Sequence, residues 1–326
     1  MIDLLGLISD TAAYKSVYGD KIHGRLSHAY MLVCGDKTFL KEYLKIFAKL
    51  IMCESSNPCG ECRTCRLIDS ENFADVHFYP KKETICSEDV ENIIEESFLK
   101  PIEEDKKLFV ISNFETANAV AQNKLLKTLE EPPKNVHILI GATSEFPILT
   151  TVKSRVKKLT IPTFEKQKIY QTLKAEYTDE FRLIKAVSCG DGTLGKAISK
   201  YGDKKLFELM ALVKDVLCNM QSSKNVLEYS TKIAESGIDT EEFISCLELV
   251  VRDMLTFYLD KQELVFDKEY LKEIANAKGF SIGAAIFILD RITEAYKRKK
   301  FNGNPTMVTE WLLFSILEGK HKWQKS

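Results

Sequence analysis

The sequence predicts an α/β domain built on a parallel sheet, then a small helical unit, then an all-helical domain. Three observations carry this. Short apolar runs alternate with helical stretches for about 160 residues, strand signals stop at Ile161-Pro162-Thr163, and only helical periodicity follows. The expected boundaries are residues 1–162, 163–203 and 204–326. At 326 residues the chain exceeds one domain of about 150, so two or three fit its length.

Taken in order, residues 1–27 read as a helical lead-in with Leu4, Leu5, Leu7 and Ile8 apolar and a break at Gly19-Asp20. Ala29-Tyr30-Met31-Leu32-Val33 is a run of buried-strand type. Phe39 to Met52 puts Leu40, Tyr43, Leu44, Phe47, Ala48 and Ile51 on one helical face. Val76 to Tyr79 is a second strand closed by Pro80. Ser87 caps the next helix, whose first turn carries Glu88 and Asp89, favoured there by the helix dipole. Leu108 to Ile111 is a third strand, and Ala117 to Glu130 a helix stopped by Glu131-Pro132-Pro133. Val136 to Ile140 is the fourth strand, Pro147 opens a short helix leading to Ser154-Arg155, and Val156 to Ile161 is the fifth strand. Phe164 to about Tyr201 forms the small helical unit, interrupted at Gly190-Asp191-Gly192. Five or six longer helices complete the chain, including Glu241–Leu259 and Ile282–Lys299, with breaks near Ser222, Gly237, Gly279 and Asn302 to Pro305.

Between the first strand and its helix lies Cys34-Gly35-Asp36-Lys37-Thr38. A phosphate-binding loop here would read Gly-x-x-x-x-Gly-Lys-Ser/Thr, its glycines opening backbone N–H groups to phosphate and its Lys and hydroxyl serving the phosphates and Mg²⁺. With the first Gly at Cys34, the second falls on Phe39, the Lys on Leu40 and the Ser/Thr on Lys41, so none survives. Lys37-Thr38 sits three residues early, inside the loop, and is a decoy.

Cys53, Cys59, Cys62 and Cys65 crowd into thirteen of the 326 positions, with two tight pairs. This spacing suits a tetrahedral structural Zn²⁺, and four thiolates leave no open position for catalytic water. Gly60 allows the turn that aims backbone N–H groups at sulfur, and Arg63 and Arg66 are placed to offset thiolate charge. Reduced thiols without metal are the bland alternative; a redox pair fits less well, because neither pair begins a helix directly after a strand. The other five cysteines, Cys34, Cys86, Cys189, Cys218 and Cys246, read as core filler.

The formal net charge of -1 excludes a chain that binds polyanions as a whole, so any DNA contact is local. No run reaches the ~18 apolar residues of a membrane span, the Met-Ile-Asp-Leu-Leu start lacks a signal peptide's basic flank, and a reducing, cytoplasmic setting is expected.

His28-Ala29-Tyr30, the four-cysteine insertion, Leu125-Leu126-Lys127-Thr128-Leu129-Glu130-Glu131-Pro132-Pro133 and Ser154-Arg155 occur in an order that resembles the bacterial DNA polymerase III clamp-loader subunits of the AAA+ class, the tau/gamma/delta-prime group. Motifs cover residues 1 to about 200, the helical remainder by architecture only. The resemblance implies an AAA+ domain with a P-loop-NTPase-like sheet and a zinc module at 53–65, a helical lid, and an all-α collar for oligomerisation. It also places the Asp-Glu pair that serves Mg²⁺ and the attacking water on Ser112-Asn113, and the lid Arg on Gly195 within Gly192 to Ala197. Glu115 reads as solvent-facing rather than as a displaced base, and Lys196 as a solvated helix residue. Neither ATP binding nor hydrolysis by this chain is expected, which resembles the non-hydrolysing delta-prime branch.

The resemblance further implies that the Arg of Ser-Arg-Cys, as in this family, acts in trans on a neighbour's γ-phosphate, a role worth roughly 10³ to 10⁵ in rate in other systems. The matching residue is Arg155, with Val156 in place of Cys. Implied partners are tau/gamma motor subunits and a delta subunit in a five-subunit ring, a sliding clamp, and primer-template DNA through the assembly. Lys81, Lys82, Lys106 and Lys107 are available for backbone phosphate, while Lys297-Arg298-Lys299-Lys300 reads as a solvated helix end. The apolar faces at Ile286, Leu289 and Ile292, and at Trp311, Leu312, Phe314 and Ile316, serve a helical core first. Two rivals remain: an ATP-hydrolysing motor subunit using Lys37-Thr38, and a stand-alone zinc-dependent DNA-binding protein.

Overall fold

In the computed structural model the described residues are 2–82, 84–259, 267–277, 280–301 and 303–323. They form two compact units: Met1–Glu176 with Gly192–Lys196, and Tyr177–Asp191 with Ala197–Ser326.

The first unit opens with helices α1 (Leu4–Ile8) and α2 (Ala12–Ile22). The expected break at Gly19-Asp20 does not occur, and α2 runs through it. A mid-helix Gly costs only ~1 kcal/mol, and burial of Tyr14 and Val17, with the Tyr14 ring edge-on to Phe47, outweighs that. Asp20 has tertiary work instead: its carboxylate accepts from Tyr30 Oη (2.8 Å) and from Lys157 Nζ (2.5 Å).

Strands β1 (Ala29–Cys34), β2 (Val76–Tyr79), β3 (Lys107–Ile111), β4 (Val136–Ala142) and β5 (Lys157–Ile161) make one wholly parallel sheet in the order β2-β3-β4-β1-β5. β1, β3 and β4 are buried almost throughout, which is why their sequences read as unbroken apolar runs rather than as alternation. β5 keeps Lys157 and Lys158 exposed, charges that suit an edge strand. Helices α3 (Leu40–Met52), α4 (Arg63–Asp69), α5 (Ser87–Ser97), α6 (Ala119–Glu130), α7 (Thr150–Lys153) and α8 (Lys166–Leu173) lie between or after the strands. The cap of α5 is Cys86, one residue before the expected Ser87. Asp89 accepts from the Cys86 N–H (3.0 Å) and thiol (3.1 Å), so the side chain three positions on decides where the helix starts. α6 is capped by Asn118, whose side chain accepts from Ala121 N–H. It buries Ala121, Gln122, Leu125, Thr128 and Leu129 before the two prolines end it.

The chain continues through α9 (Glu180–Ser188) and α10 (Leu194–Gly202), then α11 (Lys204–Asn219), α12 (Ser223–Glu235), α13 (Thr240–Tyr258), α14 (Lys268–Ala275), α15 (Ile282–Lys300) and α16 (Pro305–Lys322). Ser222 caps α12, and Gly237 (φ +68°) separates it from α13, as expected; Gly279 and Asn302 lie outside the described residues. The second unit's core joins Val213, Val216 and Leu217 to Phe243, Leu247, Ile288, Leu312 and Ile316. Ile292 is in it, while Ile286 and Phe314 are exposed. Lys320, only 2% exposed, donates through Nζ to Leu217 O (2.9 Å) and Met220 O (2.9 Å), satisfying carbonyls at the end of α11. No described helix is long and apolar enough to cross a membrane.

Candidate functional site

Three sequence-flagged places fall in the first unit: the turn after β1, the cysteine knuckle after α3, and the turn after α7.

The turn after β1 is occupied by the chain's own groups. Cys34 is buried, and burial pushes its thiol up to about 11. Leu40, where a phosphate-binding Lys would stand, is 1% exposed, and Lys41 is drawn away to Glu71 (2.7 Å). Lys37 and Thr38 are exposed members of the turn, not of the helix. Asp36, which nothing in the sequence singled out, is 4% exposed. One of its carboxylate oxygens accepts from the Phe39 N–H at the start of α3 (3.3 Å), the other from the Gly195 N–H (2.9 Å). A phosphate at a helix N-terminus is held by backbone N–H groups in this manner, and here an internal carboxylate takes that role. Gly195 is needed for the approach: a Cβ there would stand 2.5 Å from Asp36 Oδ1 and 2.6 Å from the Thr38 side chain.

At the end of β3, Ser112 Oγ donates to Tyr79 O (3.1 Å), and Asn113 adopts the left-handed conformation (φ 52°) that opens a 3₁₀ turn at Phe114–Thr116. Glu115 is not solvent-facing as expected. Its Oε1 accepts from the Thr143 N–H (3.1 Å) and from the Thr143 hydroxyl, because β4 ends alongside β3 and brings Thr143 to it. Its Oε2 is buried with no partner among the described residues. Lys196 is exposed, as expected.

The cysteine knuckle is preformed. Cys53 Sγ lies 3.8 Å from Cys59 Sγ and 3.9 Å from Cys62 Sγ, Cys59 Sγ lies 3.9 Å from Cys65 Sγ, and all four sulfurs fall within 4.8 Å of one another. Sulfurs about 2.3 Å from a tetrahedral centre are about 3.8 Å apart, so the set fits a metal ion. Gly60 (φ +74°) turns the chain, the Cys62 N–H points at Cys59 Sγ (3.3 Å), and the Cys65 N–H at Cys62 Sγ (3.3 Å). Backbone donors from Cys62 and Glu61 draw the Cys59 thiol down to about 6, whereas burial raises Cys65. Arg63 pairs with Glu103. A cation that the sequence did not mark, Lys21, reaches from α2 to Cys53 O (2.5 Å) and Ser55 O (2.6 Å). Only the fold brings it within reach, 32 residues from Cys53.

After α7, Arg155 donates from Nη1 to Thr151 O (2.8 Å) and Ser154 Oγ (3.2 Å), and its Nη2 pairs with Glu130 at the end of α6. Val156 packs against the sheet core. The preceding loop is braced by Gln122, 1% exposed, which accepts from the Leu149 N–H (2.8 Å) and donates to Ala117 O (2.9 Å) and Pro147 O (3.2 Å).

Of the lysines expected to be available for DNA, Lys107 is 3% exposed and donates to Glu96 O (3.1 Å), and Lys106 donates to Ile51 O (3.2 Å). Both are committed internally, because β3 starts between α5 and the α3 end and a lysine stem there finds helix carbonyls within reach. Lys81 lies over the Tyr79 ring, 4.7 Å from its centroid. In the basic run at the end of α15, Lys299 pairs with Glu241 (2.6 Å) and Asp239 (3.2 Å), and Arg298 lies over Trp311, 3.9 Å from its ring centroid.

Residues 10–165 match the family model described as DNA polymerase III, delta subunit. The chain is 31% identical over 315 residues to the DNA polymerase III subunit delta' of Bacillus subtilis, covering 94% of this chain and 95% of that protein. It is 24% identical over 338 residues to the B. subtilis subunit tau, covering 94% of this chain but only 60% of that longer protein, and it spans 27% of the Haemophilus influenzae subunit tau/gamma. A DNA polymerase III gamma subunit-related protein of Thermotoga maritima superposes with a TM-score of 0.40 at 17% identity, over 90% of this chain and 95% of that one.

Proposed function

Because the chain belongs to the bacterial DNA polymerase III clamp-loader subunits of the tau/gamma/delta-prime group, we propose that it is a delta-prime member, a subunit that does not hydrolyse ATP but completes a neighbour's ATP site. The observation that carries this reading is the turn after β1. With Asp36 held by Phe39 and Gly195, a carboxylate stands where a nucleotide phosphate would need the same N–H groups, and like charges exclude one another there. The loss of Lys at position 40 and of carboxylates at Ser112 and Asn113 acts in the same direction.

On this reading Arg155 is the trans finger. It sits at the end of a short helix, is one-third exposed, and can stabilise charge that develops on a γ-phosphate held by another subunit. Cys53, Cys59, Cys62 and Cys65 hold a structural Zn²⁺ that ties the end of α3 to the start of α4. Residues 163–203 act as the lid and 204–326 as the collar that joins tau/gamma and delta in a five-subunit ring, which sets the sliding clamp on primer-template DNA.

The test is twofold. The isolated chain should not bind ATP at millimolar concentration. A loader rebuilt with cognate motor and delta subunits should lose roughly 10³-fold or more of its DNA- and clamp-stimulated ATP hydrolysis at the site it completes when Arg155→Ala replaces the wild type. Tight ATP binding by the isolated chain would restore the motor reading. Full activity of an intact Arg155→Ala complex would reduce the chain to scaffolding.

A further inference from the structure

We propose that Glu130 is a positioning residue for Arg155, fixing the direction of the guanidinium before a neighbour's nucleotide meets it. This rests on the reading of Arg155 as a trans-acting finger.

The first observation is the contact itself: Arg155 Nη2 is paired with the Glu130 carboxylate while Nη1 is held by Thr151 O and Ser154 Oγ. An arginine carries about 2 kcal/mol of rotamer entropy, and three acceptors on two of its nitrogens remove most of that freedom in advance. The planar fork can bind a carboxylate along one edge and offer other N–H groups to a phosphate, which a Lys could not do.

The second observation is where Glu130 stands. It is the last residue of α6, at the end where unsatisfied carbonyls make a carboxylate locally unfavourable. The helix dipole does not favour an acid there, whereas the Arg155 guanidinium across the gap does. The pair is also a poor candidate for holding the fold together. The Arg155 side chain is 33% exposed and that of Glu130 48%, and ion pairs so exposed contribute little to stability. A contact that orients a group without anchoring the chain is what a finger needs, since the guanidinium must stay able to engage a more highly charged partner.

The geometry also says why α6 is the element that supplies this carboxylate. Leu125 and Leu129 are buried against the sheet, and Gln122, one turn earlier, braces Pro147 and Leu149 in the approach to α7. One rigid helix therefore sets both the start of the Arg155 turn and the direction of its side chain.

The experiment uses the full chain in the reconstituted loader, comparing wild type, Glu130→Gln, Glu130→Asp, Arg155→Ala and the double variant Glu130→Gln with Arg155→Ala. The readouts are kcat and KM for ATP with DNA and clamp present, together with the thermal midpoint of each isolated chain. We expect Glu130→Gln to lower kcat roughly ten- to a hundredfold at unchanged KM and unchanged midpoint, because misaiming a transition-state contact costs rate rather than binding. Glu130→Asp, which keeps the charge, should recover part of the loss. The double variant should be no slower than Arg155→Ala alone.

Wild-type kcat for Glu130→Gln beside an inactive Arg155→Ala would overturn the role of Glu130 and leave the finger standing. A double variant slower than Arg155→Ala would overturn it too, because Glu130 would then act without Arg155. A lowered midpoint in both Glu130 variants would make the contact structural and overturn it by a third route. Full activity of Arg155→Ala would instead remove the finger, and this inference with it.

Discussion

The turn at Cys34–Leu40 and the knuckle at Cys53–Cys65 stand at opposite ends of α3, and each aims backbone N–H groups at side-chain acceptors. In the turn the carboxylate is internal: Asp36 fills the place, and Gly195 packs closely against it. In the knuckle the groups gathered are four sulfurs, all within 4.8 Å of one another, a spacing that fits a metal ion. The contrast teaches that one helix can end on a turn satisfied from within the chain at one end and on a set of potential metal ligands at the other. A place filled by the protein's own carboxylate is satisfied by itself, whereas four thiols at this spacing could hold a metal ion.

The largest effect expected from this contrast is metal loss. Structural Zn²⁺ sites contribute apparent free energies of about 10 kcal/mol or more, so chelation, or Cys62→Ser, should release one equivalent of zinc and expose the α4 amides to hydrogen exchange. The amides of Phe39 and Gly195 should keep their protection. Equal thermal midpoints for treated and untreated chains would erase the contrast. Next comes Gly195→Arg, which places a long charged side chain in a space where even a Cβ stands 2.5 Å from Asp36. It should cost about 2–3 kcal/mol by denaturant unfolding and yield no nucleotide binding.

Asp36→Ala should cost about 1–2 kcal/mol by the same measure, because the Gly195 N–H loses its acceptor. It too should leave ATP unbound in calorimetry. Binding gained on removing that one carboxylate would mean that the turn is merely plugged, not lost, and would sharpen the comparison further.

The smallest effect comes from acid, on the knuckle side. Asp75 is fully buried and accepts from the N–H groups of Ile102 (2.6 Å), Glu103 (2.7 Å) and Glu104 (2.8 Å), fixing the loop whose Glu103 pairs with Arg63 of α4. Burial alone would raise its carboxyl, but the three donors and Lys107 outweigh that and hold it below the ordinary carboxylate value. A group depressed on folding gives stability that is present above its unfolded pKa of about 3.9 and is lost as pH falls through the folded value. Wild type should therefore lose stability relative to Asp75→Asn only below about pH 4, with a slope of at most about 1.4 kcal/mol per pH unit. Matching acid profiles for the two would contradict this account.

Legibility followed sequence distance. The four cysteines span thirteen positions, so their convergence was readable from spacing, and so were the five strands, whose burial on both faces writes itself as apolar runs. The lack of a phosphate-loop motif after β1 was readable because a motif is local. The partner of the Asp36 carboxylate in that turn was not, since Asp36 and Gly195 are 159 residues apart. The same reason hid Lys21 beside the knuckle and Thr143 beside Glu115. The α2 break failed because the weak cost of one glycine was set against burial that no local window displays.

By itself, then, the sequence determined the succession of strands and helices, the four-thiol knuckle, the lack of a Gly-x-x-x-x-Gly-Lys-Ser/Thr run after β1, and the presence of an arginine after α7. These depend on periodicity, composition and short spacing, which act between near neighbours. The parallel sheet's order, the bonding of the Asp36 carboxylate to Gly195, the commitment of Lys106 and Lys107 to helix carbonyls, and the pairing of Arg155 with Glu130 were decided by tertiary structure. Each requires two distant segments to be brought to within about 3 Å, and hydrogen bonds at that range depend on where the folded backbone places their partners.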